Sequence, residues 1–201
     1  MFARGHGQCR GPLHIVRTPS LLLRTPTPRE ARIAMACASD DDAQHWLGWV
    51  EYVCPEPGRA ALIASRADGL ERPGRRVLSL PGQLIAIDPE RPAVIGAVGI
   101  TARQAEPPQV GGWLAPSHRG RGLGRELFAA ALELGHRHLG IEVLRAGAET
   151  SNTASRGSLE AAGFRPAQGA ETQRLPNGRT IPTCWYEHTA APSSCRGAGW
   201  S

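Results

Sequence analysis

The segment Trp113–Arg125, WLAPSHRGRGLGR, constrains this chain more than any other stretch. A strand-like run from Gly111 ends at Ala115, and Pro116 turns the chain. Glycines then alternate at 120, 122 and 124, where a helix is expected to begin near Gly124. Glycine lets a backbone approach a ligand closely and adopt positive φ. A helix N-terminus adds unpaired N–H groups and a partial positive charge. Together they make a seat for a phosphate or diphosphate. Arg119, Arg121 and Arg125 supply guanidinium groups whose planar fork suits phosphate oxygens. An anionic, phosphate-bearing ligand is expected here.

The remaining composition narrows the chemistry. All 23 basic residues are arginine. Without lysine there is no Schiff-base or pyridoxal-phosphate lysine and no Walker A loop. The net charge of +5 is spread among 18 acidic residues, and aromatics are 5% of the chain. This argues against a dedicated nucleic-acid role. The five cysteines, Cys9, Cys37, Cys54, Cys184 and Cys195, show no close spacing, which speaks against a disulfide framework or zinc site and for a reducing compartment. His136 and His138, two apart on a helix, should point to different faces as solvated residues rather than metal ligands. No run approaches a membrane span and no secretory signal is evident, so a cytoplasmic location is expected.

In order, residues 1–17 form an expected flexible basic leader, 18–189 one domain, and 190–201 a flexible tail. Ser20–Arg24 reads as the first strand. Thr27, Pro28 and Glu30 mark a helix start with capping-box spacing. A second helix begins at Ser39 with Asp40, Asp41 and Asp42 at its positive end and stops near Gly48; the aspartates also offer attraction for a cationic substrate. A third helix is placed at 57–67, before a polar loop at 68–76. Strands follow at Gln83–Ile87, Ala93–Thr101 and Gln109–Leu114, the last two joined by the loop Gln104–Pro108, and their short connections imply antiparallel pairing. Gly111 and Gly112 suggest a bulge or a close approach by a ligand.

The helix after the glycine loop carries the apolar stripe Leu127, Phe128, Ala131, Leu132 and Gly135. Ile141–Ala148 should run parallel to Gln109–Leu114. Asn152 starts a helix with Ala154, Leu159 and Ala162 inward and Gly163 as its C-cap. A hairpin closes the pattern, Gly169–Leu175 and Thr180–His188 around Asn177-Gly178.

This α+β order, with the ligand loop in its middle, resembles the GNAT N-acetyltransferases, which take acetyl from acetyl-coenzyme A. The family's pyrophosphate signature is Gln or Arg, two residues, Gly, one residue, Gly or Ala. Arg119, Gly122 and Gly124 meet it. Gln109–Leu114 (QVGGWL) before it, Glu149–Ser155 (ETSNTAS) and Leu159–Phe164 (LEAAGF) after it complete a specific spacing. Arg17–Arg24 (RTPSLLLR) is similar to the branch acetylating the N-terminal Ala or Ser of ribosomal proteins. The glycines do not complete the dinucleotide pattern G-x-G-x-x-G, and no suitable acidic partner follows.

The resemblance implies a GNAT-like three-layer fold, its central mixed, mostly antiparallel sheet splayed at the acetyl-CoA site. It implies acetyl-CoA as co-substrate with no metal, an amine acceptor, and a monomer or homodimer. The diphosphate would sit on Arg119, Gly120, Arg121, Gly122, Leu123, Gly124 and Arg125. The pantetheine arm would add like a strand along Trp113, Leu114 and Ala115, with Asn152 and Ser155 as further cofactor contacts. Transfer would be direct, an N–H near Leu114 stabilising the oxyanion. Leu159 stands where many members carry a tyrosine that protonates the departing thiolate. Ser158, Ser155 or Tyr186 would replace it, and Glu171, or else Glu149, would act as base. An α-amine, with a pKa near ~8, suits such a site better than a lysine amine near ~10.4. The missing tyrosine also admits a catalytically silent acyl-CoA sensor.

Overall fold

The computed structural model describes residues 13–48, 82–103 and 106–191. The strands are β1 (Ile15–Arg17), β2 (Leu22–Arg24), β3 (Gln83–Asp88), β4 (Ala93–Arg103), β5 (Glu106–Leu114), β6 (Val143–Glu149), β7 (Arg165–Ala167), β8 (Thr172–Arg174) and β9 (Thr180–Thr189). The α-helices are α1 (Pro28–Ala36), α2 (Asp41–Leu47), α3 (Leu123–Leu132) and α4 (Thr153–Ala162). A 3-10 turn covers Pro116–His118, and π-helical turns at Glu133–His138 continue α3. The strands make one sheet in the order β1-β2-β3-β4-β5-β6-β9-β7, with β8 also on β9. Every pairing is antiparallel except β5 with β6, which run parallel.

Alternation along the strands sorts the core into two faces. On one face Ile85 and Ala97 pack with Ala34 of α1, and Trp113 leans against them. On the other, Leu84, Ala86, Val98, Ile100 and Leu144 meet Leu127, Phe128 and Ala131 of α3 and Leu159 of α4. Helix, sheet and helix make the three layers.

The helix ends follow local chemistry. Thr27 and Glu30 form a reciprocal capping box at α1. Asp40, one residue later than expected, caps α2 by accepting from the Ala43 N–H at 3.1 Å. Gly48 ends α2 at φ 66, and Gly163 ends α4 at φ 106. The Asn177-Gly178 turn is as expected, with the Gly178 N–H donating to the Leu175 carbonyl.

Four readings of strands and helix faces change. Ile15–Arg17, counted above with the leader, pairs antiparallel with Leu22–Arg24, and Val16 is buried; three residues are too few to show a period. The loop expected at Gln104–Pro108 is shorter, because Glu106–Pro108 already belong to β5; Pro107 and Pro108 read as strand breakers only because they lack donors. There is no bulge at Gly111-Gly112, which stay in register with Gly99 and Val98. Gly112 instead makes room for packing: a Cβ there would lie 2.8 Å from the Ala97 carbonyl oxygen and 3.1 Å from Leu127 Cδ2. Ala154 is exposed, while Leu159 and Ala162 turn inward as expected.

His136 and His138 do face apart, but both are half-buried rather than solvated. His136 Nε2 lies 2.9 Å from His188 Nδ1, and His138 Nδ1 lies 3.2 Å from His14 Nδ1. The helix at 57–67 and the loop at 68–76 fall outside the described residues, as does the tail beyond 191. Ala190, placed with that tail, still donates to the Glu142 carbonyl. No helix among the described residues is long and apolar enough to cross a membrane.

Arg24 holds the Glu30 carboxyl down at about 2, with the Thr27 N–H assisting. A depressed folded-state pKa stabilises above the unfolded value and is lost as pH falls through the folded one. Thr27→Ala should cost about 1 kcal/mol in urea unfolding at neutral pH. Glu30→Gln should flatten the part of the acid limb between 4.5 and about 2, measured as unfolding midpoints across that range.

Candidate active site

Strands β5 and β6 meet at one register pair, Gln109 with Arg145, and then part. The Ala115 N–H donates to the Ile95 carbonyl at 2.7 Å, while Leu114 stands opposite Gly96. In an antiparallel ladder that places Leu114 at a position exchanging no bonds with β4. Its own N–H and C=O therefore turn toward the gap where β6 has moved away. Gly96 allows this. A Cβ on it would lie 2.2 Å from the Trp113 carbonyl oxygen and 3.1 Å from Leu114 Cα. Trp113 itself points to the other face, its indole N–H donating to the Ala34 carbonyl at 2.8 Å.

The glycine loop leads from the end of β5 into α3. Gly120 and Gly122 have φ of 70 and 77, and a Cβ at either would meet nothing within 4 Å. They serve the turn, not packing. Among the described residues nothing accepts a hydrogen bond from the amides of Gly120, Arg121, Gly122, Leu123 or Gly124; the Arg125 N–H returns to the Gly122 carbonyl. Arg121 and Arg125 are exposed, and none of the ion pairs among the described residues involves them. Five amides, a helix N-terminus and two exposed arginines thus fall within one turn.

Arg119 is placed differently from the other two arginines. Its Nη1 and Nη2 each lie 2.7 Å from an oxygen of Asp40, and its Nε donates to the Leu114 carbonyl at 2.9 Å. The guanidinium is turned onto the protein, not toward the loop's open side. Arg119 in turn holds the Asp40 carboxyl below its ordinary range.

Three residues separate the end of β6 from the start of α4, so both helix N-termini flank the mouth of the splay. The two helices touch where a Cβ on Gly124 would lie 2.5 Å from Ser158 Oγ. Ser158 is therefore occupied with the helix contact. Asn152 caps α4, accepting from the Ser155 N–H at 3.0 Å. The Ser155 hydroxyl, half-buried in that first turn, has no hydrogen-bond partner among the described residues.

The expected acids and bases do not gather at one point. Tyr186 is 2% exposed, its hydroxyl donating to Glu160 Oε1 at 3.0 Å and accepting from Arg156 Nε at 3.1 Å. Burial, aided by Glu160, pushes that phenol above its ordinary value. Glu171 is exposed before β8 and lines a cleft of about 480 Å³ with Arg156, Glu160, Trp185 and Tyr186. Glu149 is at the splayed end of β6. Its Oε2 faces Arg179 Nη1 at 3.1 Å in an ion pair too poorly aligned to count as a hydrogen bond, and its Oε1 accepts from Ser151 at 3.1 Å. No cluster of three or more metal-ligating side chains occurs among the described residues.

Sequence reasoning missed two contacts made across the sheet. Asp40 was read as helix-end charge or as an attraction for a cationic substrate, because its partner Arg119 lies 79 positions away. Gln173 sends its side chain over β6, its Oε1 3.0 Å from where a Gly147 Cβ would be; the one available signal was its alternate position in β8.

The family model for the acetyltransferase (GNAT) domain matches residues 20–165. Comparison with curated protein sequences gives no match. Among solved structures, the chain is similar to the ribosomal-protein-S5-alanine acetyltransferase of Vibrio fischeri, at 16% identity and a TM-score of 0.66, covering 88% of this chain and 96% of that one. It is also similar to Mycobacterium smegmatis RimJ in complex with CoA-disulfide, at 19% identity and a TM-score of 0.67, covering 89% and 87%. A third is the microcin C7 self immunity acetyltransferase MccE in complex with acetyl-CoA and AMP, at 13% identity and a TM-score of 0.67, covering 86% and 94%. These structural likenesses establish the fold.

The contact between α3 and α4 yields a direct test. Gly124→Ala should lower stability by about 1–3 kcal/mol through overpacking. Adding Ser158→Ala removes the hydroxyl in its way and should recover part of that loss, read by urea unfolding of the single and double variants.

Proposed function

Because the chain belongs to the GNAT acetyltransferase family, we propose that it moves acetyl from acetyl-CoA to a primary amine by direct attack within a ternary complex. One observation carries the reading: the unengaged amides of Gly120–Gly124 lie beside a strand end whose Leu114 N–H faces the open splay. The amides and Arg121 and Arg125 suit a diphosphate. The outward peptide groups of β5 suit an amide-rich arm lying alongside as an added strand.

In this reading the acceptor nitrogen attacks the thioester carbon, and the Leu114 N–H bonds the oxygen as it gains charge. Ser155 protonates the thiolate, since Ser158 faces Gly124 and the Tyr186 hydroxyl is held by Arg156 and Glu160. Glu171 takes the amine proton, through water where needed; Glu149, engaged by Arg179 and Ser151, is second. A weakly basic α-amine asks little of that base. The favoured acceptors are therefore peptide N-termini or amino-acid-like small molecules, in keeping with the similarity to the ribosomal-protein-S5-alanine acetyltransferase of Vibrio fischeri.

The charge-reversing pair Arg121→Glu and Arg125→Glu should each weaken acetyl-CoA binding by about tenfold or more, the value of a charge-assisted phosphate contact. Calorimetry should show this with unfolding midpoints unchanged. Unaltered affinity would move the diphosphate elsewhere. Thiol release with a panel of N-terminal peptides and small amines, confirmed by mass spectrometry of the products, tests transfer itself. Ser155→Ala and Glu171→Gln should each slow it, by about 10²-fold where the group transfers a proton. Binding without any release across the panel would favour a silent sensor.

A further inference from the structure

Helix α2 is fastened at both ends, and the two fastenings lie on opposite sides of the splay. At its N-terminus Asp40 takes both Arg119 Nη atoms, while Arg119 Nε holds the carbonyl of Leu114 at the end of β5. At its C-terminus Arg179 Nη2 donates to the His45 carbonyl at 2.5 Å, and Nη1 of the same guanidinium faces Glu149 at the end of β6. Gly48 presses onto the β8–β9 turn, where a Cβ would lie 2.7 Å from Leu175 Cβ. The helix therefore reaches from one diverging strand end to the other. Its N-terminal fastening is the residue immediately before the glycine loop.

We propose that Arg119 is a positioning residue that carries occupancy of the diphosphate loop to α2. It does so through Asp40 and Leu114, without itself binding phosphate. The inference rests on the reading of the loop as an acyl-CoA site. A diphosphate bonded to the amides of Gly120–Gly124 removes freedom from the turn that roots Arg119. Arg119 is the shared partner of the acyl-binding strand end and the helix across the splay, so the order gained on one side passes to the other. Coupling of this kind is reciprocal: what steadies α2 also favours the thioester. Helix α2 is then set once the acetyl donor is in place.

Hydrogen exchange by mass spectrometry on the full chain, with and without acetyl-CoA, tests this. Binding is verified separately by calorimetry. In the wild type, acetyl-CoA should slow exchange in the loop at 120–124 and, on the order of tenfold, in α2. Asp40→Asn keeps a good helix N-cap but loses the ion pair. It should retain loop protection while α2 no longer responds, and Arg119→Gln should behave alike. Loop protection without an α2 response in the wild type, or an undiminished α2 response in both variants, overturns the coupling and leaves the loop assignment standing. No heat of binding and no loop protection would instead remove the acyl-CoA reading and the proposal with it.

Discussion

The structure depends on how closely β5 is drawn onto β4 opposite Gly96. No side chain fits there, since a Cβ would lie 2.2 Å from the Trp113 carbonyl oxygen. The close approach secures β5 on its β4 side and leaves the alternate peptide groups facing outward. Among the described residues the other edge has a single register pair with β6. A sheet continuous on both sides at Leu114 would have no free N–H to offer. Here the gap is kept open by packing elsewhere: α3 and α4 lie against each other through Gly124 and Ser158, holding the ends of β5 and β6 in a fixed relation while the strands diverge.

Buried charge secures the rest of the frame. Glu126, 8% exposed in the first turn of α3, accepts from the Thr18 hydroxyl at 2.5 Å and the Ser20 N–H at 2.8 Å. Burial alone would push its carboxyl up, but these bonds outweigh it and leave it below the ordinary value. The carboxylate thereby joins the turn between β1 and β2 to the helix that follows the glycine loop. It also gains from standing near a helix N-terminus. The N-terminal strands are thus fixed by a contact to the site's own helix as well as by the sheet edge.

Local signals were legible in the sequence. The capping box at Thr27, the Gly163 terminus, the Asn-Gly hairpin and the α3 stripe each involve residues within a few positions of one another, so propensity and sterics decide them. The glycine loop was legible for the same reason. What escaped was the use of side chains across the sheet. Arg119 reads as a phosphate ligand from its neighbours, yet Asp40 lies near only after β3, β4 and β5 have been laid down. Gly112 reads as a bulge in one dimension and as room for Leu127 in three. Tyr186 looked available as an acid until Arg156 and Glu160, one turn apart on α4, closed on its hydroxyl.

The absence of lysine acquires a structural meaning at these crossings. Arg119 directs Nε at a carbonyl and Nη1 and Nη2 at a carboxylate, three aligned donors from one rigid plane. Arg179 divides its two Nη atoms between the His45 carbonyl and Glu149. A lysine is a single point charge on a flexible stem and cannot hold two such partners in fixed directions. Each of these guanidiniums joins segments that are distant in sequence and meet at the mouth of the splay. Arg121 and Arg125 remain turned outward beside them. The same residue type therefore performs two separable tasks: inward, as a planar joint between backbone and carboxylate; outward, as charge around five unengaged amides.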